Sequence, residues 1–235
     1  MERRTPVFIV CSPLQRVGKT LIAQLLVEFF IGDHRRVAAF DLNPDGYELA
    51  GRLRGYTKVA NVATTKGQMA LFDQLVLADE VAKVVDVGYS SFEQFFSVME
   101  AIGYLAEAHA HSVVPAALFF AEPDHRSTRA FAKLQERFAS LPLVPVQNAG
   151  MTTDARARRA AKLDFPGIPL RIPALSPELK AMTAMPGFSF VQADRQSPTL
   201  PSALHAWTRG IFLQFRELEL RLLLEEIKPA LRMRA

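Results

Sequence analysis

Short runs of β-branched and aromatic residues alternate along this chain with helix-length stretches whose apolar positions recur every three or four residues. The short runs predict strands at Val7 to Cys11, Val37 to Phe40, Ala82 to Val87, Val114 to Phe120, Leu143 to Gln147 and Pro169 to Ile172. The longer stretches predict helices at Lys19 to Phe30, Gln68 to Ala78, Ser91 to Ala108, Ser127 to Ala139, Asp154 to Leu163 and Ser202 to Glu226. Strands and helices in this alternation build an α/β fold: a doubly wound, mostly parallel sheet with helices on both faces. Such sheets bind ligands beyond the carboxyl ends of their strands, so the loops after Cys11, Phe40, Val85 and Gln147 are expected to converge on one site. Pro186, Pro198 and Pro201 mark the stretch between them as a surface connection before the last helix.

A length of 235 residues suits one domain, 1–235, with 202–235 as its C-terminal helix. Hydrophobic residues at 49% and charged residues at 22% exclude a disordered or collagen-like chain. No apolar run attains the roughly 18 residues of a spanning helix. Cys11 is the only cysteine, which rules out an intramolecular disulfide, and the opening apolar run is too short for a secretory signal, so a cytoplasmic protein is expected. The net charge of +4 is a modest basic excess that suits a polyanion such as DNA or an anionic membrane surface.

The strongest local signal follows the first strand. Ser12-Pro13-Leu14-Gln15-Arg16-Val17-Gly18-Lys19-Thr20 lies between a strand and an apolar helix, the context of a phosphate-binding loop. The loop from Pro13 to Leu21 would cradle phosphates of ATP or ADP through its backbone N–H groups, Pro13 excepted, and the helix N-terminus, Lys19 would reach the β and γ phosphates, and the Thr20 hydroxyl would bind Mg2+. Gly18 lets the backbone approach a ligand closely. Pro13 occupies the position of the usual leading glycine, so the strict motif fails there. A phosphate site also needs carboxylates near the metal. Asp86, at the end of the third expected strand, suits the metal, and Asp41, after the second, a supporting metal or catalytic role.

These features together resemble the ParA/MinD (Soj-like) family of deviant P-loop ATPases. Val17-Gly18-Lys19-Thr20 follows a strand, Asp41-Leu42-Asn43-Pro44-Asp45-Gly46 is similar to the family's Asp-x-Asp-Pro-Gln-Gly, and Val85-Asp86 stands at the second switch strand. Val144 to Asn148 resembles the strand whose terminal Asn contacts adenine. The resemblance spans residues 6 to about 175 and implies a P-loop NTPase fold of the SIMIBI type. It also implies an ATP-dependent homodimer that switches on nucleoid DNA or membrane, with slow hydrolysis stimulated by a protein partner. Two positions depart from the pattern. The family's signature lysine falls at Leu14, with Arg16 the nearest cation, and the second acidic residue of the first switch is Asn43. An amide holds a water but cannot take its proton, so catalysis by Lys19, Asp41 and Asn43 is expected to be slow or absent, with ATP binding retained.

Arg156, Arg158, Arg159 and Lys162 fall within two helical turns and could grip DNA phosphates without reading sequence. The last helix carries Trp207, Ile211, Phe212, Phe215, Leu218, Leu222, Leu223 and Ile227 at helical spacings, and Glu217, Glu219, Glu225 and Glu226 disfavour anionic lipid, so packing on the sheet or on a partner is expected. The histidines show no metal-ligand spacing. Two other classes share the loop: an ATP-dependent ligase similar to dethiobiotin synthetase, which would need carboxylate-recognition residues not evident here, and a nucleotide-binding assembly or regulatory protein with little turnover, which Leu14 and Asn43 favour.

Overall fold

The computed structural model describes residues 4–150, 165–185, 187–195 and 198–232, with side chains to residue 225. In chain order the strands are β1 (Thr5–Cys11), β2 (Val37–Asp41), β3 (Thr57–Val59), β4 (Ala82–Asp86), β5 (Val113–Phe120), β6 (Leu143–Asn148) and β7 (Leu170–Ile172). The helices are α1 (Lys19–Gly32), α2 (Glu48–Arg52), α3 (Thr65–Leu75), α4 (Phe92–Ala101), α5 (Tyr104–Ala110), α6 (His125–Arg137), α7 (Pro177–Thr183), α8 (Phe190–Asp194) and α9 (Ser202–Arg232).

The strands form one seven-stranded sheet in the order β3-β2-β4-β1-β5-β6-β7, and every pairing is parallel. A parallel sheet is covered on both faces, which explains why β1 reads as unbroken apolar sequence rather than alternating. Val7, Ile9 and Cys11 face a layer made by α3, α4, α5 and α6, while Phe8 and Val10 face a layer made by α1, α8 and α9. Aromatic rings fill both layers: Phe29 of α1 meets Phe212 and Phe215 of α9 at centroid distances of 5.5 and 5.6 Å, and Phe72, Phe95 and Tyr104 cluster on the opposite face.

The chain departs from the expected pattern at β3, between α4 and α5, and in the connection before α9. β3 is a three-residue edge strand too short to register as a period. The single helix expected over Ser91 to Ala108 is two, α4 and α5, because Gly103 turns the backbone left-handed at φ 63° between them. The connection Pro186 to Pro201 is not wholly a surface segment: it contains α8, whose Phe190 and Ala193 are fully buried. The helix expected over Asp154 to Leu163 lies outside the described residues.

Two polar arrangements hold the outer elements. Glu28, buried on α1, accepts from Gln24 Nε2 (2.9 Å), from the Ser189 hydroxyl (2.8 Å) and from the Val191 amide (3.0 Å), so an inner carboxylate receives the N-terminus of α8. At the β7 edge, the Gln214 side chain accepts from Arg171 N and donates to Arg171 O, both at 2.8 Å, satisfying the edge strand as another strand would. No helix among the described residues is long and apolar enough to cross a membrane.

Phe29 contacts rings on two elements, so Phe29→Ala should lower unfolding free energy by about 3–5 kcal/mol. Leu213→Ala on the exposed side of α9 should change it by less than about 0.5 kcal/mol. Urea unfolding followed by circular dichroism checks both.

Candidate functional site

β1, β2 and β4 end side by side, with Val10 paired to Asp86 and Asp41 paired to Asp86 across the sheet. This register brings two carboxylates under the loop that joins β1 to α1. In that loop the Ser12 hydroxyl accepts from Leu14 N (3.1 Å), and both Arg16 (φ 55°) and Gly18 (φ 99°) are left-handed. Left-handed residues interspersed in a turn are the backbone arrangement from which anion-binding nests are built. Gly18 is required on two counts, its positive φ and a Cβ that would stand 2.5 Å from Asn148 Nδ2. It also caps α1 with no side-chain hydrogen bond, so the first-turn amides receive no side-chain cap.

Lys19 is largely buried and its ammonium donates to Leu14 O at 2.8 Å, which leaves two of its three donors for a ligand. Burial pushes its pKa down, and the Asp86 carboxylate opposes that shift. Cys11 lies fully buried at the end of β1; burial pushes its thiol well up, so it remains a neutral packing residue. Thr20 donates to Asp86 Oδ2 at 2.8 Å, and Asn43 Nδ2 donates to the same oxygen at 3.0 Å. Asp86 Oδ1 is buried with no hydrogen-bond partner. Burial raises the Asp86 carboxyl to about 7; the Thr20 and Asn43 bonds and the Lys19 charge pull it down, while Asp41 pushes it further up.

Above this cluster opens a cleft of about 610 Å³. Gln15, Arg16, Val17, Gly18, Lys19, Thr20 and Leu21 form its floor, and Asn43 lies on one wall. Pro13 and Leu14 do not line it. Leu14 packs its side chain on the α1 side of the core, and only its carbonyl serves the site, through Lys19.

Asp41 is fully buried behind the cleft wall, with Oδ1 accepting from Asn43 N (3.0 Å) and Asn43 Nδ2 (2.9 Å) and Oδ2 accepting from Ala50 N (3.1 Å). These bonds tie the loop after β2 to α2, so in this state Asp41 is an anchor and touches the cleft only through Asn43. Asn43 itself bridges the two carboxylates. Asn148 does reach the cleft, yet its amide nitrogen donates to Val17 O at 2.9 Å and its oxygen accepts from Gly150 N at 3.1 Å. It braces the phosphate loop, and those two bonds orient its amide toward backbone. Arg156, Arg158, Arg159 and Lys162 lie outside the described residues.

The cleft also contains residues that motif reasoning passed over: Tyr47, Arg52, Tyr89, Lys180, Thr183 and Trp207. They come from five separate elements or loops, and no short spacing joins them. Among the described residues, no group of three or more His, Cys, Asp or Glu side chains forms a metal cage. Mg2+ needs no such cage: one or two protein oxygens hold it together with phosphates and water. The unpaired Asp86 Oδ1 and the adjacent Thr20 hydroxyl are hard oxygen donors of the right kind.

No protein-family model matches the chain, and neither does any curated protein. Solved structures similar to it include a ParA family ATPase from Chlorobium tepidum TLS, at 14% identity and a TM-score of 0.48, with 90% of this chain and 98% of that one covered. A nucleotide-binding protein in complex with ADP from Archaeoglobus fulgidus matches at 14% identity and a TM-score of 0.47, covering 74% of this chain and 84% of that one. FlhF complexed with GMPPNP and Mg2+ matches at 16% identity and a TM-score of 0.36, covering 66% and 60%. At these identities and scores the likenesses decide neither ligand nor activity, which rest on the geometry of the site.

The raised Asp86 pKa sets a pH dependence for the metal-free protein. Between about pH 4 and 7 the folded state holds a proton that the unfolded state has released, so Asp86 makes stability fall as pH rises through that window and level off above it. Chemical unfolding in EDTA across pH 4–8 should show this limb, and Asp86→Asn should flatten it.

Proposed function

We propose that this chain binds ATP with Mg2+ in the cleft and acts as a nucleotide-dependent switch with slow turnover. The observation that carries this reading is the buried cluster of Lys19, Thr20 and Asp86 beneath a left-handed loop, with one carboxylate oxygen unpaired and facing no other donor. Lys19 would supply an ammonium to the β and γ phosphates, the loop amides and the N-terminus of α1 would receive their oxygens, and Thr20 and Asp86 would hold the metal. Bound Mg2+ neutralises phosphate charge and polarises the terminal phosphoryl group.

Slow turnover follows from two positions. Asn43 can orient a water beside the terminal phosphate but accepts no proton from it. Leu14, half-buried against the core, carries no charge, so no cation extends from that position toward another subunit; Arg16, exposed at the rim, is the cation of this loop that remains available. The ParA-like motif order supports ATP-dependent homodimerisation as the output, with a protein partner accelerating hydrolysis and DNA as the surface in positioning or partition.

Calorimetry should register Mg2+-dependent binding of ATP and ADP, and Lys19→Ala should weaken it at least about a hundredfold, the loss of a charge-assisted contact to phosphate. No heat with any adenine nucleotide, or unchanged affinity in Lys19→Ala, would reject the reading. Light scattering after gel filtration should show a dimer with ATP and a monomer with ADP; a monomer under both conditions removes the dimer while leaving the binding.

Asn43→Asp restores a proton acceptor at the water position. Phosphate release at saturating ATP and Mg2+ should rise about tenfold or more, given the factors that a positioned base contributes. The same change places a third carboxylate beside Asp41 and Asp86, so in EDTA the variant should melt below the parent protein.

A further inference from the structure

We infer that α9 supplies the platform for the nucleotide's base, through the face that Trp207 turns to the cleft. This rests on the nucleotide reading of the cleft and extends it to the end away from the phosphates.

The phosphate end is set by Gly18, Lys19 and Thr20 at the end of β1. From there the cleft runs two ways. Toward β2 it meets Asn43, Asp45, Glu48 and Arg52, with Asp41 and Asp86 behind, a polar and charged wall. Toward β7 it meets Ile172, Pro173, Leu175 and Trp207, an apolar wall, while α7 adds Lys180, Thr183 and Ala184 to the lining. The end of β7 lies three strands from β1 in the sheet order, roughly 14 Å at ordinary strand spacing, so the apolar wall stands about a nucleoside's reach from the phosphate loop. A flat aromatic base partitions to that end.

Trp207 is held ready there. Its indole N–H donates to Pro173 O at 2.9 Å, and its ring lies 5.9 Å from that of Phe190, tilted by 31°. One bond to the β7 loop and one ring contact to α8 thus fix the indole before any ligand arrives, while part of its surface remains in the cleft. Pre-oriented aromatic surface costs little side-chain entropy on binding. Tyr47 and Tyr89 also border the cleft, but Tyr47 is flanked by Gly46 and Glu48 beside Asp45, and Tyr89 is largely exposed, so neither offers an apolar seat.

Trp207 is the only tryptophan, which makes the test direct. Saturating Mg2+-ATP should change its emission and shield it from acrylamide quenching. Mg2+-tripolyphosphate, which has no sugar or base, should bind by calorimetry without that shielding. Trp207→Ala should weaken ATP roughly tenfold to a hundredfold, the range of one base-on-aromatic contact, and leave tripolyphosphate unchanged. Trp207→Phe should keep most of the ATP affinity. Equal shielding by tripolyphosphate and ATP, or wild-type ATP affinity in Trp207→Ala, overturns the inference while Lys19-dependent binding stands. Were Trp207→Ala not to fold, the acrylamide comparison on the unaltered protein decides alone. If the unaltered protein gives no heat with ATP, the nucleotide reading fails and this inference with it.

Discussion

The whole site depends on a carboxylate kept out of water. Asp86 ends a central strand, and parallel pairing to β1 and β2 sets it under the phosphate loop and beside Asp41. Removing a carboxylate from solvent costs several kcal/mol unless charge and hydrogen bonds compensate it. Here the compensation is partial: Thr20 and Asn43 share one oxygen, Lys19 contributes charge from its place on Leu14 O, and the other oxygen has no partner. A folded protein tolerates such a group when surrounding packing is strong enough to fix it, and sites of this kind are where ligands and metals bind.

That packing is the double aromatic layer. β1 contributes alternate residues to both faces, so the strand that carries the phosphate loop is gripped from above and below. α1 is nearly all buried, from Ile22 to Phe30, and its start is therefore fixed relative to β4. Lys19 and Thr20 occupy the first turn of that helix. The stiffness of a core helix is thus transferred to the groups that would meet phosphate, and the geometry is held before a ligand is present.

The chain's own pattern revealed the sheet wherever a strand was long and buried on both sides, because such strands are runs of Val, Ile, Phe and Ala. It concealed β3, whose Thr57, Lys58 and Val59 lie at an exposed edge, and α8, whose short sequence sits between prolines and is buried by Phe190 in the core and by the bonds that Glu28 accepts. The phosphate loop was legible since Gly18, Lys19 and Thr20 are contiguous and their context is local. The work of Asp41 and Asn148 was not. Both are polar residues at strand ends, and whether such a side chain meets a ligand or a backbone amide depends on which amide the fold brings near: Ala50 N for Asp41, Gly150 N for Asn148. Trp207 was hidden for a related reason. Helical periodicity separates one side of α9 from the other, but it does not distinguish apolar positions that meet the sheet from one that meets the cleft.

A single chain of polar contacts links these parts and constrains how the cleft can respond to a ligand. Arg52, at the end of α2, donates to Gln24 Oε1 at 3.1 Å and to Thr183 O at 3.3 Å; Gln24 donates to Glu28, and Glu28 receives α8. Both walls of the cleft are therefore referred to one helix, α1. Each group in the chain has a partner, and breaking one link would leave a buried charge or amide unsatisfied. Motion on ligand binding is consequently expected in the segment that the chain does not hold, Pro44 to Tyr47. There Asp45 is exposed and Tyr47 adopts a left-handed φ of 44°, a conformation a tyrosine leaves readily once a ligand offers its backbone another partner. Those four residues would then move against a fixed floor and an Asn43 pinned to Asp41 and Asp86, which is what a switch built on a rigid sheet requires.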